Sequence, residues 1–427
     1  ENFHKDYRFG FFPAVSGAWN VAEEPFVKKI AGKWLNMFKV RYSYGKTGND
    51  NLGNDRFPYL YTIGDGSNYQ FADYGYDRVW QGYRYATVSS ADVSWEIATK
   101  KDLGIDFSMF DDKFSGTVDY FYEHRDDIYM ERKYLPWMAG VESNPKANVG
   151  SVKVEGFDGN FKYRQKIGKV DLTIRGNMTY SKNKILEKDE ENTVYFYKQE
   201  QGYRINQAKG LVALGLFKDY DDIRNSPRQT WGEVMPGDIK YKDINGDGII
   251  NSDDRVAIGA TTKPNLTYGF GIAAKWKGLD INVHFQGVGK STYQIKGTTV
   301  FMFSSGDGWG NILTEMANSN RWILGENEDP NAEYPRLTYG ANSNNQQEST
   351  YWLRNGSYMR LKTLDIGYSL PKTWVNKAHM NTVRFFFVGT NLLTFSKFKL
   401  WDPEMGSSDG KKYPLSKTFA LGVSVNL

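Results

Sequence analysis

The chain is 427 residues long, with 54 Lys and Arg against 50 Asp and Glu and a net charge of +4, too small and too evenly scattered a surplus to mark a nucleic-acid binder. It has no cysteine, which excludes a disulfide scaffold, a thiolate metal site and a Cys nucleophile. Mean hydropathy is −0.60 and no apolar run nears the ~18 residues of a spanning helix; a transmembrane β-barrel stays open, because every second residue of its strands faces water.

The chain opens at Glu1 without an initiator Met or a signal peptide, which reads as a mature or partial product. Aromatic residues make up 16% of it, with 29 Tyr and 43 Gly, a composition that suits many strands joined by turns. Strands are expected near 7–20, 34–46, 93–109, 114–125, 149–166, 169–182, 264–276, 279–290, 357–370, 383–395 and 418–427. The evidence is a period of two. Leu103, Ile105, Phe107 and Met109 alternate with Gly104, Asp106 and Ser108, and Val170, Leu172, Ile174 and Met178 with Asp171, Thr173, Arg175 and Asn177. The same holds for Leu279, Ile281, Val283 and Phe285 against Asp280, Asn282, His284 and Gln286. Successive side chains on a strand point to opposite faces, so each run has one apolar and one wet face.

A secreted sandwich gives the same alternation, and the connections decide between the two. Links after the odd-numbered strands are short, as at Phe110–Lys113, Ile167–Gly168 and Lys277–Gly278. Links after the even-numbered strands are long: 47–92, 126–148, 183–263, 291–356 and 396–417. Strict short/long alternation is the pattern of outer-membrane barrels, whereas compact domains have mostly short loops. The expected fold class is therefore all-β: an antiparallel transmembrane β-barrel, with residues 1–427 forming about the C-terminal half, roughly eleven strands, of a large plugged barrel. An odd number of strands is expected to precede Glu1, because single-chain barrels close with an even count. The lipid bilayer would be its solvent. The last strand puts Phe419, Leu421, Val423, Val425 and Leu427 on one face, an apolar terminus in phase with lipid.

Within the 183–263 loop lies one strong chemical motif, at 243–254. Asp243, Asn245 and Asp247 supply side-chain oxygens at positions 1, 3 and 5 of a calcium loop. Gly248 stands at the sharp turn, Ile249 offers its carbonyl, Asn251 takes position 9, and Asp254 closes the loop at position 12. A hard cation needs about 6–8 oxygens, which these residues and one or two waters can supply. The expected cofactor is structural Ca²⁺; the competing reading is a metal-free Asp/Asn/Gly turn cluster. No flanking helices suggest a sensor.

Other signals carry less. Gly289-Lys290-Ser291-Thr292 ends like a phosphate loop, but His284 stands where its first glycine belongs. His4, His124, His284 and His379 are dispersed, and the carboxylate pairs Asp126-Asp127 and Asp221-Asp222 lack a partner base, so no catalytic residue is identified and no enzyme is expected. Trp80, Trp231, Trp309, Trp322 and Trp352 in the loops either pack or grip a ligand, packing being the commoner fate. Tyr42, Tyr44, Tyr120, Tyr122, Tyr163, Tyr180 and Tyr368 read as lipid-face or girdle residues.

Several blocks closely resemble one family. They are Arg41-Tyr-Ser-Tyr-Gly-Lys-Thr-Gly-Asn49, the stretch from Pro236-Gly-Asp238 through the calcium-type loop to Arg255, Tyr268-Gly-Phe270, Phe285-Gln-Gly287, Gly356-Ser-Tyr-Met-Arg-Leu-Lys362, Gly389-Thr-Asn-Leu-Leu393 and Asp402-Pro-Glu404. In order and content they resemble the SusC/RagA family of TonB-linked outer-membrane proteins. That resemblance implies an outer-membrane importer of a Gram-negative, Bacteroidetes-type bacterium. It also implies a SusD-like surface lipoprotein as lid, and a TonB complex acting through an N-terminal plug that nothing in this chain matches. The implied cargo is oligosaccharide or oligopeptide. The rival is a secreted or surface β protein binding glycans through calcium-ordered loops.

Overall fold

A computed structural model describes residues 2–73, 76–133, 138, 144–304 and 310–426. Eleven strands form one antiparallel sheet in sequence order: β1 Ala14–Asn20, β2 Leu35–Asn49, β3 Glu96–Met109, β4 Phe114–Glu131, β5 Lys146–Ile167, β6 Val170–Glu187, β7 Leu266–Trp276, β8 Leu279–Gly289, β9 Tyr358–Ser369, β10 Thr382–Ser396 and β11 Thr418–Asn426. Every neighbour in the sheet is a neighbour in sequence, as in an up-and-down barrel wall, with β1 and β11 at its edges. The short and long connections alternate as expected.

The register carries one apolar face across all eleven strands. Residues directly opposite share a face, and from β11 to β8 the partners run Val423 to Phe385 to Tyr368 to Leu279. The row continues from Leu279 through Trp276, Val170 and Ile167. Towards the other edge Tyr120 faces Leu103, Leu103 faces Tyr42 and Tyr42 faces Gly17. These side chains are largely open: Leu421 is 87% exposed, Val15 66%, Ile272 46%. A sandwich would bury this face under a second layer; here it faces outward, as lipid contact requires. All seven strand tyrosines named above lie on it. Phe419 to Val425 occupy it in phase; Leu427 lies outside the described residues.

The inner face is polar and ion-paired. Arg41 on β2 makes two hydrogen bonds to Asp106 on β3 (2.8 and 3.0 Å) and one to Asp119 on β4 (2.8 Å). Arg384 on β10 likewise bridges Asp280 on β8 and Asp365 on β9 (2.5 and 2.7 Å). Each guanidinium clamps a third strand to the pair it already joins, an arrangement only a wet, shared inner face allows.

The strands differ from expectation at their long-loop ends. β5 runs 22 residues and β4 and β6 18 each, against the ~9–11 that cross a bilayer. Beyond the membrane both faces are wet, so the alternation fades while the backbone ladder continues. Link 47–92 likewise holds a hairpin, Thr62–Asp73 with Tyr76–Thr87, whose alternation is broken by register shifts between Thr62 and Ile63 and between Gly66 and Tyr69.

Candidate functional site: a folded module built from the long loops

The principal hydrophobic core lies outside the sheet. Leu211, Ile239, Ile250, Ile295, Met316 and Trp352, each almost wholly buried, come from loops 188–265 and 290–357, and Phe398 joins them from the loop before β11. Short strand pairs order each loop, Ala213–Leu216 with Ile239–Tyr241, Arg228–Gln229 with Ile249–Ile250, and Thr292–Gln294 with Leu353–Asn355, and a bridge between Leu211 and Ser349 joins the two loops. Burying so much aliphatic surface makes the loops one module on the long-loop side of the sheet.

A buried polar hub fixes the module. The Asp238 carboxylate, fully buried, accepts from Arg336 Nε and Nη2 (2.8 and 3.0 Å), Asn342 Nδ2 (3.0 Å), Asn345 Nδ2 (2.8 Å) and the Met235 N–H (2.8 Å). Gln229 and Asn344 extend the network to the Ile239 carbonyl. Tyr241 donates to the Asn344 carbonyl (2.7 Å), and burial pushes its phenol above the ordinary range. Gly237, beside the hub, has φ of +85°, and a Cβ there would stand 2.4 Å from the Trp322 ring; both facts demand glycine.

The module's root is also ionic. Arg360, near the start of β9 and 2% exposed, pairs with Asp402 (2.5 Å) and Glu404 (3.2 Å), and Lys362 reaches Glu404 at 3.5 Å. Thus the blocks 356–362 and 402–404, far apart in sequence, meet in one cluster. Nothing in either block alone announces the other as its partner.

The calcium-type loop closes on its own hydrogen bonds, with its carboxylates turned to backbone N–H groups. Asp243 accepts from Gly246 (2.6 Å) and Gly248 (2.8 Å), and Asp254, fully buried, from Ile244 and Asn251 (both 2.8 Å). Asn245 accepts from the Asp247 N–H (3.1 Å) and Asp247 from that of Ile249 (2.8 Å). Asn251 caps the short helix Ser252–Asp254 in a reciprocal capping box with Asp254. Among the described residues no three Asp, Glu or His side chains gather at one point. Contacts from 50 residues away complete the surroundings: Tyr195 Oη receives the Asn245 amide (3.1 Å), and Lys198 pairs with Asp253. Lys209 in turn donates to the carbonyls of Tyr197, Lys198 and Gln199, which end the turn carrying Lys198. Burial lowers the Lys209 ammonium from its ordinary value, with Glu190 and Glu200 opposing.

Of the loop tryptophans, Trp322 and Trp352 are buried core residues and Trp231 packs against that core, whereas Trp80 is open on its hairpin. Trp309 lies outside the described residues. Trp322 floors a cleft of about 370 Å³ bounded by Tyr220, Met235, Leu324 and Leu337. The His124, Ser151 and Asp126 side chains also meet, at 2.9 to 3.0 Å. Both partners crowd the same Nε2, however, so the aspartate does not orient the other ring nitrogen as a hydrolytic relay requires.

The carboxylate pair at 221–222 is structural. Asp219 caps the helix Tyr220–Arg224 by accepting from the Asp222 N–H. Asp222 itself holds Lys240 at 2.7 Å. Burial alone would raise the Asp222 carboxyl; Lys240, the Lys218 N–H and Ser226 overcome it and hold it below the ordinary value. A depressed carboxyl contributes stability above its unfolded pKa of about 3.9 and loses it as pH falls through the lower folded value. Protease resistance of loop 210–241 is therefore expected to hold between about pH 7 and 5 and to fall below about pH 4, with Asp222→Asn flattening that drop.

Fold and site together define a class. No family model matches the chain. Over 99% of its length it is 28% identical to TonB-dependent receptor P3 of Formosa agariphila and 25% identical to TonB-dependent receptor SusC of Bacteroides thetaiotaomicron. It spans 42% and 40% of those two relatives. All of it superposes on 44% of a chain of the RagAB peptide transporter, with a TM-score of 0.73 and 21% identity. The RagAB peptide importer in its open-open state gives 0.75. The fold is that of a TonB-dependent outer-membrane transporter barrel, and the outer membrane is where this chain resides. Within that class its likeness is to the SusC/RagA type, as the sequence blocks indicate.

Proposed function

We propose that residues 1–427 are the C-terminal portion of the barrel of an energised importer. The plug and the N-terminal barrel portion would complete the cylinder, a TonB complex would drive plug displacement from the periplasm, and a SusD-like lipoprotein would close the outer mouth over oligosaccharide or oligopeptide cargo. The observation that carries this reading is the pairing of a one-sided apolar sheet with a folded loop module at one end only. A passive pore needs the first and has no use for the second. The open apolar side chains around the Trp322 cleft, Tyr220, Leu324 and Leu337 among them, are where we place the lid. Uptake by cells carrying the full-length protein is expected to cease on removal of either TonB or the lipoprotein, scored with labelled oligosaccharide and oligopeptide pools. Uptake unchanged by both deletions would leave a passive pore.

The loop 243–254 supports a structural Ca²⁺ in this reading. Asp243, Asn245, Asp247, Asn251 and Asp254 with the Ile249 carbonyl would hold it. A carboxylate oxygen that accepts one N–H keeps a second lone pair for a cation, and Gly248, at φ +80°, supplies the sharp turn that a calcium loop needs at its sixth position. The ion would stiffen the segment joined to Tyr195 and Lys198. Chelation, or Asp243→Ala with Asp247→Ala, is expected to speed proteolysis within 183–263 and to weaken lid docking. A cleavage rate indifferent to chelator would mean that hydrogen bonds alone shape the loop.

A further inference from the structure

The first short connection is longer than a reversal needs. Two to four residues turn the chain after β3, β5 and β7, while residues 21–34 separate β1 from β2. The extra length forms a helix, α1 Pro25–Ala31, on which Phe26 and Ile30 are 57% and 84% exposed. Four residues apart, they lie on one side of it. Lys29 is exposed in its last turn and Lys33 just beyond, and neither has an acidic partner among the described residues. Apolar side chains flanked by free cations are unstable in water and suited to the boundary between acyl chains and phosphates.

Two contacts join this helix to the lipid face. Trp19, on the outer face of β1 opposite Val40, donates its indole N–H to Glu24 (2.8 Å), the residue that opens the helix. Trp34, where the connection ends, packs against Phe110 of the neighbouring turn with ring centres 6.2 Å apart. The same end of the sheet carries Trp276, with Lys277 over its ring, and the open Trp374. The start of α1 is thus tied to the outer face of β1, beside the surface assigned to lipid.

We propose that α1 lies in the headgroup layer of the periplasmic leaflet, with Phe26 and Ile30 among the upper acyl carbons and Lys29 and Lys33 on phospholipid phosphates. It would set the depth at which this edge of the barrel rides. The inference goes beyond import and rests on the barrel reading, with the outer face in lipid and the short connections facing the periplasm.

The test uses full-length protein reconstituted in phosphatidylethanolamine and phosphatidylglycerol vesicles. This chain has no cysteine, so single spin labels can be placed at Ile30→Cys, at Val15→Cys on the outer face of β1, and at Val194→Cys in an open loop, with any cysteine elsewhere replaced by serine. The label at residue 30 is expected to favour oxygen over a water-soluble nickel complex, as the label at 15 does and the label at 194 does not. Replacing Lys29 and Lys33 with glutamine should raise nickel access at residue 30 severalfold. A residue-30 label as nickel-accessible as that at 194 overturns the anchor, and so does one closed to both reagents, which would place α1 against protein. Failure of the residue-15 label to favour oxygen would instead overturn the barrel reading itself.

Discussion

Replacing Arg336 with alanine is expected to unfasten the outer module while leaving the sheet intact. The substitution strands the Asp238 carboxylate, fully buried, with only Asn342, Asn345 and one backbone N–H as donors. Breaking a buried pair from one side costs about 3–5 kcal/mol, because the charge left behind has no water to return to. Hydrogen exchange should accelerate at Ile239 and Tyr241 by the corresponding factor, with amides of β7 and β8 unchanged. Removing both charges while keeping the Oδ1 acceptor of Asn342 and Asn345, with Asp238→Asn and Arg336→Met, should restore part of the protection. A single variant that exchanges like the parent would show that the hub does not hold the module.

The second large effect concerns the outer face. Ile272, midway along β7, stands opposite Ile174 on β6 and Val283 on β8, in the centre of the apolar row. A lysine there must stay in hydrocarbon, at a cost of about 2–4 kcal/mol near the bilayer midplane. Thr173→Lys, whose side chain shares the inner face with Ala273, should cost little. Folded fractions across a urea series in vesicles measure both. Equal losses would mean the two faces share one environment, and the assignment of lipid and lumen would fail.

Much of this fold was legible because a barrel wall obeys a local rule. Period-two runs and alternating link lengths placed an expected strand at every strand of the sheet, since each strand needs only to know which side is oil. The rule stops at the membrane surface, which is why β4, β5 and β6 outrun their expected ends; the hairpin in 47–92, its alternation broken by register shifts, read as loop. The module was illegible for the opposite reason. Its order comes from pairings such as Asp238 with Arg336, 98 residues apart, and Arg360 with Asp402, 42 apart, which no spacing announces. Trp322 and Trp352 show the same limit, since an aromatic in a long loop looks alike whether it packs or binds. The calcium-type loop was found because its oxygens fall within twelve consecutive positions; Tyr195 and Lys198 were not, because they arrive from elsewhere.

The location of the core divides the chain into two parts with different packing demands. Outside its two arginine clamps the wall asks mainly for oily residues outward and polar ones inward, whereas the module depends on specific interlocking neighbours. A chimera that exchanges 188–265, 290–357 and 397–417 as a set between related transporters should therefore assemble, while exchanging any single segment should leave mismatched halves of one interior. Selectivity would then be inherited as a cassette rather than loop by loop.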